Sequence, residues 1–219
     1  MDVAGAIAEL VDRQVSALRR ALIAIDGPDA AGKTTLADHV AARVRSPVIR
    51  SSIDGFHQPR PFRHRRGELS PEGYYNDSFD HVGMIAELLE PFAGGTTTVT
   101  TKMFDFRRDT PQLARVERVP VACALLFDGV FLLRPGVRDF WTLAVYLHVS
   151  EDVSVRRACA RDVSLFGTTE LVEKRYRCRY LPGQQLYRDD ARPLETADIV
   201  IDNDDPERPQ ITKWSPRQA

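Results

Sequence analysis

The chain has 219 residues, 43% of them hydrophobic and 28% charged, with a formal net charge of −1. A chain of this size and composition can bury a core without disulfides, and its near-neutral charge gives no global pull toward nucleic acid or an anionic membrane. No apolar run approaches the ~20 residues needed to span a bilayer. Cys123, Cys159 and Cys178 are odd in number and lack CxxC or Cys/His ligand spacing, so neither a zinc site nor an oxidising compartment is indicated. Residues 1–8 lack the basic and long apolar regions of a signal peptide, and the expected location is the cytoplasm.

In chain order, Ile7, Leu10, Val11, Val15 and Leu18 recur at helical spacing and predict an amphipathic helix over 6–20. Ala21–Ile25 is a short apolar run, the pattern of a strand buried on both faces. A glycine-containing loop, a helix over 34–44 and a strand over 47–52 follow. From 58 to 80 the chain turns polar, with Pro59, Pro61 and Pro71, and reads as a long functional loop. Helical periodicity returns over 81–92, and the Thr/Val-rich stretch 96–101 predicts a strand or hairpin. Val121–Phe127 and Leu143–Val149 read as central strands, with Cys123 in the core. Helices are expected over 151–163 and 169–180 with a break at 164–168, then a last strand at 197–201. The tail after Asn203, rich in Pro and charge, is expected to be poorly ordered. Apolar strands alternating with helices predict an α/β fold in three layers, a parallel sheet with helices on both faces.

Gly27-Pro-Asp-Ala-Ala-Gly32-Lys33-Thr34 matches G-x-x-x-x-G-K-[ST] in full, between a predicted strand and a predicted helix. Its glycines permit close backbone approach, and its amides form an anion nest at the helix start. Lys33 can bridge the outer phosphates of a nucleoside triphosphate, and the Thr34 hydroxyl can bind Mg²⁺. Gly27, Asp29, Ala30, Ala31 and Gly32, with Lys33, Thr34 and Thr35, are therefore the candidate contacts to ATP. Asp54, at the end of the second predicted strand, can accept a proton from an attacking hydroxyl or reach Mg²⁺ through water. Asp128 ends an apolar strand and is placed to hold the water shell of the metal. Two basic clusters, Arg60/Arg63/Arg65/Arg66 and Arg175/Arg177/Arg179, suit a small anionic ligand better than a long polyanion.

Several segments also occur in a shared order: the Gly27 loop, Asp54-Gly55-Phe56, Asn76-Asp77-Ser78-Phe79-Asp80, Phe104-Asp105-Phe106, Leu126-Phe127-Asp128-Gly129, Arg161-Asp162 and Ala197-Asp198-Ile199-Val200. In these the chain resembles the uridine kinase family over residues 22–203. The resemblance implies a P-loop kinase fold, MgATP as phosphoryl donor and a small-molecule acceptor. That acceptor would be the 5′-hydroxyl of uridine, cytidine or a similar nucleoside. It implies Asp54 as general base, Asp80 as the ribose-binding carboxylate, Phe104 and Phe106 packing on the base, and Arg161 on a lid over the phosphates. Phe104 stands where the family usually has Tyr. Phe56, His57, Tyr75 and Phe79 are further candidates for the acceptor pocket, with Tyr74 and Tyr75 either lining it or anchoring the loop.

Two stretches depart from the family pattern. Asp109 replaces a base-reading His and Pro111 an Arg, which makes Arg107 or Arg108 candidates to meet an anionic substrate instead. The lid stretch 164–168 carries no positive charge, so Arg157, Arg175 or Arg177 would have to substitute. Asp54-Gly55-Phe56-His57 is also similar to the related pantothenate kinase group. The reading is one domain over 1–219, with an acceptor loop at about 56–80, a hairpin at about 97–110 and a lid at about 160–180. Pantothenate, a sugar phosphate or another metabolite stays open as acceptor, as does a nucleotide-binding regulatory protein with little turnover. A homo-oligomer is left open.

Overall fold

Six residues in a row with almost no exposed surface, Ala21–Asp26, leave no polar face for a helix to show to water, and this segment becomes the centre of the sheet. The computed structural model describes residues 2–116 and 118–216. Helix α1 (Val3–Leu18), strand β1 (Arg20–Asp26) and helix α2 (Lys33–Ala41) come first, then β2 (Val48–Ser52) and a 3₁₀ turn, Ile53–Phe56. Two short helices follow, α3 (Arg60–Arg63) and α4 (Pro71–Asp77). Helix α5 covers 81–93 with a π-turn at Ile85–Leu89. Strands β3 (Val99–Asp105) and β4 (Thr110–Val116) form a separate antiparallel hairpin.

Strands β5 (Cys123–Gly129) and β6 (Leu143–His148) return to the main sheet. Helix α6 (Glu151–Arg161), the single turn α7 (Val163–Phe166) and the long helix α8 over 169–191 form the helical cover. A turn α9 (Pro193–Thr196), then β7 (Ile199–Asp202) and β8 (Gln210–Trp214), complete the described chain. The sheet order is β2-β5-β1-β6-β7-β8, parallel except for β8.

The two-residue period of β1 divides the core. Leu22 and Ala24 pack on one face with Phe56, Phe92 and Phe131; Ala21, Ile23 and Ile25 pack on the other with α1 and α2. Register aligns both Ile25 and Ser52 with Asp128, so three strands end at one level. In a parallel sheet that edge is where ligands bind.

The structure corrects four sequence expectations. Residues 58–80 are not one continuous loop but two short helices joined by turns: their prolines sit at helix starts, Pro59 as the N-cap of α3 and Pro71 in the first turn of α4 behind Ser70, which accepts from the Gly73 amide at 3.0 Å. The tail is not poorly ordered throughout, because β8 pairs antiparallel with β7, Ile199 opposite Trp214 and Asp202 opposite Gln210. Its exposed, alternating pattern is that of an edge strand and carries little apolar signal. The hairpin extends to 116 rather than stopping near 110. The lid helix runs on past 180 to Ala191, through a π-turn at Tyr176–Tyr180. Among the described residues no helix is long and apolar enough to cross a membrane.

Phe131, just beyond β5, is fully buried and its ring meets four aromatic neighbours: Tyr74 at 4.9 Å, Tyr75 at 5.1 Å, Tyr187 at 5.2 Å and Phe79 at 6.3 Å. It pins α4 and α8 to the sheet. Phe131→Ala is expected to cost about 3–5 kcal/mol in urea denaturation, the range for a large buried aromatic; a cost under about 1 kcal/mol would show that the cluster does not hold these helices.

Candidate active site

An anion nest requires amides aimed inward, which in turn requires the neighbouring carbonyls to find partners elsewhere. In this loop they do. The carbonyl of Pro28 accepts from Lys33 Nζ at 2.6 Å, that of Asp29 from Ser154 Oγ at 2.7 Å, that of Ala30 from Arg157 at 3.5 Å, and that of Ala31 from Asn203 Nδ2 at 2.7 Å. Among the described residues the amides of Asp29, Ala30, Gly32, Lys33 and Thr34 donate to no protein acceptor. Gly32 has φ of 91°, and a side chain at Gly27 would strike the Leu147 carbonyl at 2.4 Å, so both glycines are required by geometry.

Lys33, Thr34 and Thr35 open onto a cavity of about 420 Å³ that Asp54, Asp128 and Arg161 also line. Thr34 Oγ1 donates to Asp128 Oδ2 at 2.7 Å. The other Asp128 oxygen accepts from Arg50 at 3.0 Å, and Arg50 also reaches Asp38 and the Leu126 carbonyl. A hydroxyl and a carboxylate converging on one point are hard oxygen donors of the kind Mg²⁺ takes when phosphates and water complete its shell. Among the described residues no cluster of three or more His, Cys, Asp or Glu could hold a metal by itself. Crowding by protein lowers the Lys33 ammonium, against the pull of Asp29, Asp26, Asp54 and Asp128. On the far side of the loop a cavity of about 370 Å³, lined by Ala30, Gly32, Thr35, Arg157 and Asn203, has room for a nucleotide base.

The predicted acceptor residues divide into two groups. Phe79 lines the 420 Å³ cavity with Asp54, and His57 lines both it and a second cavity of about 490 Å³. Phe106 lines that second cavity, its ring stacked on His57 at 4.8 Å. Phe56 is fully buried in the core, Phe104 is buried, and neither lines either of these two cavities. Asp80 caps α5, accepting from the Gly83 amide at 2.9 Å, and lies off both cavities. Tyr75 anchors its segment, donating to Asp190 at 2.5 Å. Asp29 belongs to the loop, yet its carboxylate points into protein, accepting from Tyr74 at 2.7 Å and Gln184 at 3.2 Å. Arg161 pairs with Asp162 at 2.6 and 2.9 Å, and the two bonds raise its affinity for its proton.

No family model and no curated protein matches the chain. Solved structures do. A possible uridine kinase from Bacillus stearothermophilus is 23% identical with a TM-score of 0.67, over 88% of this chain and 98% of that one. A candidate fructose transport system kinase from Silicibacter sp. TM1040 is 24% identical at 0.65, over 90% and 96%. A phosphoribulokinase from Rhodobacter spheroides is 14% identical at 0.60, over 91% and 77%. The chain has the fold of the P-loop kinases. At these identities the likeness carries the fold alone, and what the chain does must be argued from its side chains.

Sequence reasoning missed one residue directly behind the loop. Asp26 ends β1 with no exposed surface, accepts from the Gly27 amide at 2.8 Å, and takes the Tyr187 hydroxyl from α8. Tyr187 in turn accepts from the Leu133 amide at 3.0 Å. The only signal was a charge closing an apolar run. Burial pushes the Asp26 carboxyl from 3.8 up to about 6, against the opposing effect of Tyr187 and the Gly27 amide. A carboxyl raised by folding makes the folded state bind the extra proton, so its contribution to stability falls as pH climbs from about 4 to 6 and then levels. Asp26→Asn should therefore gain on the wild type by on the order of 2–3 kcal/mol more at pH 7.5 than at pH 4 in urea titrations; the same difference at both pH values would exclude Asp26 as the titrating group.

Proposed function

We propose that this protein is an ATP-dependent phosphotransferase that phosphorylates a hydroxyl group of a small molecule. One observation carries the reading: the loop amides, Lys33, the Thr34–Asp128 pair, Arg161 and the exposed carboxylate of Asp54 border a single cavity. ATP with Mg²⁺ supplies the transferable phosphoryl group when bound. The residues of the chain do the rest. The amides of Asp29, Ala30, Gly32, Lys33 and Thr34 and the Lys33 ammonium would hold the triphosphate, while Thr34 and Asp128 would hold the metal. Asp54 orients the acceptor hydroxyl and takes its proton, and Arg161 balances charge on the transferring group.

The motif resemblance supports the 5′-hydroxyl of uridine, cytidine or a similar nucleoside as acceptor. Pantothenate, a sugar phosphate or another metabolite would use the same transfer chemistry and differ in what surrounds the hydroxyl.

With labelled ATP and a panel of hydroxyl acceptors, Asp54→Asn is expected to lower kcat about 10²- to 10⁴-fold while ATP still binds, the loss typical of a removed general base. Lys33→Ala should abolish transfer. Near-wild-type transfer by Lys33→Ala would sink the mechanism, and ATP binding without transfer to any acceptor would favour a nucleotide-binding regulatory protein.

A further inference from the structure

The two arginine clusters of the sequence are regrouped by the fold. Arg65 and Arg66 leave the first to clasp Asp77, at 2.5 and 2.7 Å, and Arg177 leaves the second to pair with Glu173 at 2.8 Å. What remains of each meets across one space. Arg60 and Arg63 from α3, Arg175 and Arg179 from α8, and Arg107 from the hairpin tip line the cavity of about 490 Å³. Two carboxylates answer these five guanidiniums, Asp109 on Arg63 at 2.9 Å and Glu68 on Arg175.

Among the described residues the balance of the charge has no counter-ion. Arg179 is 4% exposed and, among the described residues, donates only to the carbonyls of Glu68 and Ser70, at 3.0 and 3.1 Å, and to the Ser78 hydroxyl. Arg63 keeps a buried Nε with no acceptor. Among the described residues the Arg60 and Arg107 guanidiniums form no ion pair. Guanidinium does not shed its proton, so the charge stays; Arg60 and Arg107 are exposed to water, Arg63 and Arg175 are half-buried and Arg179 is buried, and gathering all five around one cavity favours an anion among them. Asp109, which stands where the resembling family has a base-reading His, is committed to the Arg60 amide and Arg63 and does not face a neutral base.

This cavity adjoins the phosphate cavity. His57, Tyr74 and Tyr180 line both, and His57 Nδ1 lies 3.1 Å from the Asp54 carbonyl. A small molecule with its charged end among the arginines can thus present a hydroxyl at Asp54. We infer that the acceptor carries an anionic group, a phosphate monoester or a carboxylate, seated by Arg60, Arg63, Arg107, Arg175 and Arg179. The inference rests on the transfer reaction proposed above and narrows its acceptor. Guanidiniums bind both groups through paired N–H donors, and the cavity is of metabolite size.

Matched acceptors separate the two sources: ribose against ribose 5-phosphate, and panthenol against pantothenate, with uridine as a further neutral compound. The anionic member of at least one pair is expected to have kcat/KM at least tenfold higher. Arg60→Gln and Arg107→Gln, neither of which removes an ion pair, should each raise KM for that acceptor about tenfold, and Arg177→Gln, outside both cavities, should leave it at the wild-type value. Equal use of both members, or uridine as the best acceptor, overturns the inference and leaves the transfer reaction standing. His64 gives a readout independent of turnover, because it lines the same cavity and its imidazole is held low by burial and by Arg179, Arg63 and Arg60 against Glu68. With Mg²⁺ and ADP saturating, its NMR titration should move to higher pH on adding ribose 5-phosphate or pantothenate and stay put with ribose or panthenol. No movement with either anion overturns the inference; movement without transfer on any acceptor upholds the anion site and removes the transfer reaction.

Discussion

The rest of the structure depends on the pinning of four consecutive carbonyls, those of Pro28, Asp29, Ala30 and Ala31. A peptide plane is rigid, so a carbonyl drawn outward turns its amide inward. The four donors come from α2, α6 and the residue after β7, which means the nest exists only once helices and sheet have closed around it. This is preorganisation in a literal sense: the dipoles are aimed before an anion is present, and no reorganisation is required when charge develops.

Asp29 extends that constraint to the acceptor side. Its main-chain carbonyl is held by Ser154 while its carboxylate receives Tyr74 from α4 and Gln184 from α8. One residue of the phosphate loop is therefore in contact with the helical cover and with the acceptor-side segment. Tyr187 and Asp26 repeat the connection one turn further along α8 and one level deeper in the sheet. The cover is thus tied to the loop by polar contacts and to the sheet by the aromatic cluster around Phe131.

The sheet and the phosphate loop were legible because each is written locally. Five apolar residues in a row specify a buried strand, and the spacing of Gly27, Gly32, Lys33 and Thr34 specifies the loop. Asp54 and Asp128 followed from their positions at strand ends, and the structure brings them to one cavity with Lys33 and Arg161. The acceptor side was less legible because its information is pairwise and long-range. No local pattern tells that Arg65 and Arg66 will turn to Asp77 while Arg63 turns to Asp109, 46 residues away. Prolines misled for a related reason: at a helix start proline is favourable, and in sequence that position looks the same as a loop. Tyr187 lay beyond the predicted lid, in a stretch of α8 too polar for its one buried side to stand out.

On the proposed reading, charge placement divides the work between the two cavities. A transfer between two anionic molecules must overcome their mutual repulsion, and a chain of net charge −1 can do so only by concentrating its cations locally. Lys33 and Arg161 line the cavity at the phosphate loop. The arginine-poor stretch 164–168 looks like a depleted lid in sequence, but Leu165 and Phe166 form an apolar wall of the acceptor cavity, and Phe166 lies 4.7 Å beneath the Arg175 guanidinium. Positive charge is carried instead by α3, the hairpin tip and α8. On the proposed reading, one arginine at the phosphate-loop cavity beside an arginine-lined second cavity is the distribution expected when the second anion belongs to the acceptor, since a neutral acceptor would leave the charge of Arg60, Arg107 and Arg179 unanswered by Asp109 and Glu68.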